Sequence, residues 1–194
     1  MLLMRMVQLS RKKISSMSSF SNKIVKWYKN NGRHDLPWRK NISPYSIWIS
    51  EIMLQQTQVK TVIPYFDKFI KKYPNLEALI QASEDEILAQ WSGLGFYRRA
   101  KNIYKACRVI SENFNNKFPT NINDLESLPG IGRSTAGAIM SIAFNEGQPI
   151  LDANVKRVLG RYKKISFKTE NEKQKKLWLI SEKLTPRKES FEYT

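Results

Sequence analysis

Residues 121–144, NINDLESLPGIGRSTAGAIMSIAF, have the pattern of a short helix, a tight turn and a second helix. Pro129 and Gly130 punctuate the chain after Leu128. Gly130 and Gly132 permit backbone conformations closed to other residues and put no side chain above the turn. Backbone N–H groups at the turn and at the start of the next helix then point outward. The helix dipole adds partial positive charge, so the turn is a cradle for an anion. Arg133 places a full charge beside it, and Ser134 follows.

The rest of the chain suggests which anion. It has 194 residues with 33 Lys+Arg against 17 Asp+Glu, a net charge of +16. Such a balance favours a polyanion, above all nucleic acid. An abundance of Lys, Asn and Ile accounts for part of the charge as solvated surface. A phosphate of DNA fits the turn, and Gly130, Gly132, Arg133 and Ser134 are its expected contacts. An ordinary inter-helix turn uses the same punctuation. The register with Leu128, Pro129 and the small-residue helix Ala136–Ala138 favours the DNA reading.

Composition bounds the remainder. Apolar residues make up 41% of the chain, enough for a core. No stretch reaches the roughly 18–20 apolar residues that span a bilayer, so no membrane partner is expected. Cys107 is the single cysteine and His34 the single histidine, which excludes a disulfide framework and a Cys/His metal cluster within this chain. Residues 1–34 contain no acid. That basic, Ser-bearing opening has the composition of a transit peptide. The reading preferred here is a start placed too early, with Met17 the true first residue and 1–16 a basic extension without structure.

Strand signals are nearly absent, and helical patterns fill the chain. Phe20, Ile24, Trp27 and Tyr28 share one face of a first helix. Pro44 opens SPYSIWISEIMLQQTQ, and Pro64 lies close to the start of KTVIPYFDKFIKKY. Ser83 and Glu86 form a capping box, and Gly93 ends that helix. Five more helices follow, through YRRAKNIYKACRVISENF, NDLESL, RSTAGAIMSIAF, ANVKRVLGRYKKI and ENEKQKKLWLISEKL, with the hairpin as their centre. About nine short helices on short loops predict an all-α fold.

Two carboxylates stand out. Glu51 sits among Trp48, Ile49, Ile52, Met53 and Leu54, and on a helix it shares a face with Ile47, Leu54 and Gln55. Loss of hydration there favours its neutral form, and a carboxylic acid kept protonated near neutral pH can act as a general acid. A salt-bridged helix glutamate is the plainer reading. Asp152 is delivered by an apolar run to the start of the next helix, where an aspartate caps the first turn. One acid that stays neutral and one that stays charged make a pair of the glycosidase type.

The chain as a whole resembles the adenine DNA glycosylases, helix-hairpin-helix enzymes related to endonuclease III. The resemblance is carried by LPWR (36–39), SEIMLQQTQV (50–59), VIPYFDKF (62–69), GLGFYRRAKN (93–102), LPGIGRSTAGAI (128–139) and PILDANVKRVLGR (149–161). It implies a six-helix barrel over 37–149 and a second helical domain from 17–36 and 150–194. It implies a monomer on double-stranded DNA that flips adenine out of a pair with 8-oxoguanine or guanine. Glu51 would protonate the base, Asp152 would be the catalytic aspartate and Asn154 would orient the site. Gln55 and Gln56 would enter the duplex, with Phe96 and Tyr97 stacking beside them. Trp38 and Arg39 would line the adenine pocket. Related lyases carry a lysine at position 134, where it attacks the sugar as an amine. Ser134 implies hydrolysis alone.

The departures are part of the reading. The family usually holds a 4Fe–4S cluster on four cysteines. Those are absent here, so no cofactor is expected. The domain that recognises 8-oxoguanine is absent too, and the second helical domain is expected to be incomplete. Phe96 stands where tyrosine is usual; stacking survives that change and a hydroxyl bond does not. The competing readings are a glycosylase for damaged pyrimidines and a non-catalytic DNA-binding remnant. Location follows the source: cytoplasm and nucleoid in a bacterium, nucleus or mitochondrion in a eukaryote.

Overall fold

The structure is a computed structural model that describes residues 18–166 and 168–194. The expected basic extension over 1–16 lies outside the described residues. Twelve helices and no strands are present among them: α1 (Ser19–Asn31), α2 (Pro37–Lys40), α3 (Pro44–Leu54), α4 (Val59–Lys72), α5 (Leu76–Ile80), α6 (Glu84–Trp91), α7 (Arg98–Asn113), α8 (Ile122–Ser127), α9 (Arg133–Ala143), α10 (Ala153–Lys163), α11 (Glu170–Leu184) and α12 (Ser190–Tyr193). The fold is all-α, as expected. The three helices beyond the expected nine are α2, α5 and α12, of four or five residues each. So short a segment shows no full apolar period and forms only where tertiary packing supports it.

Two helices form the centre. On α3, Tyr45 through Ser50, Ile52 and Met53 are all buried. On α9, Ala136 through Ile142 are all buried. Helices apolar on nearly every side belong inside a domain, and here they pack against each other. Gly137 permits close approach of the chain beyond: a Cβ there would lie 2.7 Å from the Pro149 carbonyl. α4, α6 and α7 surround this pair with Phe66, Phe69, Trp91, Ile103 and Ile110. A second, smaller cluster joins Leu151, Leu159, Leu177 and Leu184, with Phe20 and Trp178 against it.

Local rules explain most boundaries. Ser43 opens α3 by a reciprocal cap, its hydroxyl taking the Ser46 N–H while Ser46 takes that of Ser43, both at 3.0 Å. Pro44 follows at the first helical position. The expected capping box of Ser83 and Glu86 is present on α6, and Gly93 just beyond has φ +91.

Three local expectations need correction. Pro64 lies in the second turn of α4, not near its first residue, because the helix begins at Val59; Pro64 is exposed, so its missing N–H falls on the solvent side. Trp27 is 60% exposed, and the buried positions of α1 are Ser21 and Val25; the Ser21 hydroxyl donates to the Leu184 carbonyl and turns that side of the helix inward. Gln55 does not continue the face of Glu51: α3 stops at Leu54, and Gln55 is its C-cap with ψ 113.

Candidate active site

Glu51 sits in the last turn of α3, half-buried. Loss of hydration pushes its carboxyl up from 4.5 to about 7; the Asp152 carboxylate adds to the rise, and Arg39 opposes it. Arg39 and Asp152 are the charges that act on Glu51, although they lie 12 positions before it and 101 after it along the chain. Asp152 is exposed and caps α10, its Oδ1 accepting the Val155 N–H at 2.7 Å. Asn154 is exposed and does not bond to Asp152. Its Oδ1 accepts from Arg157 Nη2 at 2.9 Å.

Serines hold the segment that delivers Asp152. Ser141 Oγ accepts the Gln148 N–H at 3.0 Å and donates to the Gln148 carbonyl at 3.1 Å. Ser181 Oγ donates to the Ile150 carbonyl at 2.7 Å. Ser134 Oγ accepts the Leu151 N–H at 2.7 Å, one residue before Asp152. The sequence marked Ser134 as a phosphate contact and as the place of an absent amine. In the structure its hydroxyl oxygen also serves the backbone beside Asp152.

The hairpin turn is partly as expected. Gly130 has φ +85, and a Cβ there would lie 2.8 Å from that of Asn102. Gly132 is a correction: its φ of −93 and ψ of 174 are ordinary extended values open to any residue. What Gly132 supplies is space, since nothing lies within 4 Å of where its Cβ would be. No side chain caps α9, so its first N–H groups are left to an outside acceptor. Arg133 is engaged within the chain, with Nη2 2.6 Å from Glu182 Oε1 and its guanidinium 4.0 Å from the centre of the Trp178 ring. It ties the hairpin to α11.

The residues expected at the base pocket separate into two groups. Trp38 is 4% exposed and meets Phe66 edge to face at 5.3 Å. Arg39 lies over Phe191 at 4.6 Å and bonds the Phe191 carbonyl at 3.4 Å. Gln55, Gln56, Phe96 and Tyr97 do come together, around an open cavity of about 400 Å³ completed by Arg98, Arg99 and Asn102. Gln55 Nε2 reaches the Gly130 carbonyl at 3.4 Å, so this cavity borders the hairpin. Gln56 and Phe96 both have positive φ, 57 and 50, a strained conformation for these residue types. A second open groove, of about 740 Å³, starts at Ala153 and is bordered by Lys156, Arg157, Arg161, Lys168 and Lys173. The Glu51–Asp152 pair lines neither.

Sequence reasoning missed Arg99. It is buried on the apolar stripe of α7 with Ile103, Ala106 and Ile110. An arginine at the spacing of buried residues was the available signal.

A 4Fe–4S cluster needs several thiolates. The chain has one cysteine, Cys107, buried on α7 with its thiol pushed up to about 12 by loss of hydration. The residues present do not fit a cluster.

Comparison with known proteins agrees with this architecture. The chain is 55% identical over 168 residues to an adenine DNA glycosylase of Buchnera aphidicola (subsp. Schizaphis graminum), covering 86% of this chain and 48% of that one. It is 41% identical over 161 residues to an adenine DNA glycosylase of Rattus norvegicus, covering 78% and 31%. The chain thus spans about half the length, or less, of these curated relatives. A solved structure of a thermostable thymine-DNA glycosylase superposes with a TM-score of 0.76 at 30% identity, over 90% of this chain and 81% of that one. A non-covalent endonuclease III–DNA complex shares the fold, with a TM-score of 0.71 at 21% identity, over 90% and 77%. The profile of one family matches residues 49–183, a span that takes in Glu51, the hairpin and Asp152, and the chain belongs to it: the HhH-GPD superfamily of base excision DNA repair proteins.

Proposed function

We propose that this chain is a monofunctional DNA glycosylase that removes adenine paired with 8-oxoguanine or guanine. The observation that carries the proposal is the half-buried Glu51 carboxyl on α3, pushed up to about 7 by loss of hydration, with Asp152 and Arg39 as the charges that act on it. Glu51 donates its proton to N7 of the flipped adenine, which lets the C1′–N9 bond break and leaves an oxocarbenium-like sugar. The Asp152 carboxylate stabilises that positive charge. Water adds to C1′, and its proton returns to a carboxylate. The products are free adenine and an abasic strand. Ser134 offers no amine for a Schiff base, so strand cleavage is not part of the reaction.

A single chain binds double-stranded DNA. The N–H groups opening α9, with the open space above Gly132, receive a phosphate. Gln55, Gln56, Phe96 and Tyr97 enter the duplex beside the extruded base. The names of the relatives support adenine as the base. The reaction proceeds without an iron–sulfur cluster in this chain.

Single-turnover assays on duplexes with adenine opposite 8-oxoguanine, guanine or thymine, followed by alkali cleavage at abasic sites, test the proposal. Release from the first two and not the third is expected. The likeness to a thymine-DNA glycosylase makes thymine opposite guanine the fourth duplex, and preferential cleavage there would overturn the adenine reading.

A further inference from the structure

Arg99 is a buried cation, 7% exposed, and no acid pairs with it among the described residues. Its two Nη groups donate to backbone oxygens and one hydroxyl, while the buried Nε has no partner among the described residues. Nη1 bonds the carbonyls of Ile52 at 3.0 Å, Met53, and Gln55 at 2.7 Å. Nη2 bonds Thr57 Oγ1 at 3.0 Å and the Gly95 carbonyl at 3.2 Å. The guanidinium also lies 5.4 Å from the Trp91 ring and 5.3 Å from that of Phe96.

These partners belong to two separate segments. Ile52, Met53 and Gln55 are the last carbonyls of α3, which a helix leaves without donor partners of its own and where the dipole favours a positive charge. Gly95 lies in the turn before α7. Each segment carries a residue with positive φ immediately after the bonded carbonyl, Gln56 in one and Phe96 in the other. Such strain persists only where surrounding structure over-determines it. The two Nη groups of arginine carry four N–H donors in one plane and can reach acceptors in two segments at once; the single ammonium of lysine cannot.

We infer that Arg99 is a positioning residue that locks the Gln55–Gln56 and Gly95–Tyr97 segments to each other, so that the residues expected to enter DNA act as one rigid wedge. The inference rests on the proposed glycosylase reading for the purpose of that wedge. The linkage itself is independent of it.

The test compares the full chain with Arg99→Lys and Arg99→Met, and with Lys105→Met, an exposed change on the same helix, as control. Native-state amide hydrogen exchange comes first. Exchange within 54–57 and 94–97 should speed at least tenfold in Arg99→Met and less in Arg99→Lys, while α4 and the core of α9 stay within about twofold of the parent. The second readout is the fluorescence of 2-aminopurine opposite guanine in a bound duplex. The rise that reports unstacking should fall at least threefold in Arg99→Met, with affinity for an undamaged duplex changed less than threefold. Protection retained in both segments would overturn the inference. So would acceleration spread evenly over all helices, which would make Arg99 a general support of the core. A parent that binds DNA without any 2-aminopurine response refutes the proposed function, while hydrogen exchange still decides the role of Arg99.

Discussion

Replacing Glu51 with glutamine keeps the side-chain shape and removes its titration. In the folded chain the carboxyl ionises near 7 instead of 4.5, so the native state holds its proton more tightly than the unfolded chain does. The stability this contributes is fully present below about pH 4.5 and is lost as pH rises toward 7. At roughly 1.4 kcal/mol per pH unit the total is about 3 kcal/mol. Glutamine carries no such dependence. The stability of Glu51→Gln relative to the parent should therefore rise by about 2–3 kcal/mol between pH 5 and pH 8, and most of the rise should come below pH 7. For a chain of this length that is roughly 5–10 °C in Tm. The same substitution should lower single-turnover excision by about 10²–10⁴-fold and leave DNA affinity nearly intact. In the parent, excision should fall about tenfold per pH unit well above 7, since the acid form is then the minority species. Denaturant titrations of both proteins from pH 5 to pH 8 supply the first measurement, and alkali-treated gels the second. A stability difference flat within about 0.5 kcal/mol over that range would show that Glu51 is ionised throughout. Excision by the glutamine variant within threefold of the parent would show that another group protonates the base.

Ser134→Lys should raise strand nicking and borohydride trapping over the parent, which should trap little; a parent that traps strongly would place the nucleophile on another lysine. The lysine cannot accept the Leu151 N–H that Ser134 now takes, so the variant should also be less stable, by about 1–3 kcal/mol for the unpaired group, as denaturant titration would show. Arg133→Glu should weaken binding to matched and mismatched duplexes alike and reduce the salt slope by about 0.9 for each phosphate that is no longer neutralised; a changed choice of base pair at unchanged affinity would sink the phosphate reading. Gly137→Ala should cost about 1–3 kcal/mol by overpacking, because its Cβ meets the Pro149 carbonyl at 2.7 Å, and excision should fall as the Asp152 segment shifts; unaltered stability would show that this segment yields freely.

What the sequence determined by itself was whatever depends on neighbours a few residues apart. Helical periodicity, the Ser83–Glu86 cap, the proline at the start of α3 and the Pro-Gly turn before α9 are short-range signals, and they placed nine of the twelve described helices. The apolar surroundings of Glu51 within its own helix were enough to single it out, and Asp152 announced itself as an N-cap. The tertiary structure alone decided which groups meet. That the charges of Arg39 and Asp152 act on Glu51 depends on tertiary structure, which no spacing along the chain encodes. Trp38 packs edge to face on Phe66 of α4, a contact that its place in the sequence does not reveal. Arg133 read as free for DNA and is shared with Glu182 and Trp178 of α11. Gly132 read as a conformational necessity, yet its backbone is ordinary, and the need it serves is empty space. Arg99 and Ser134 show the same division from the other side. The Arg99 Nη groups and the Ser134 hydroxyl bond mainly to backbone groups of other segments, and a backbone carbonyl or N–H carries no residue identity for a sequence to reveal.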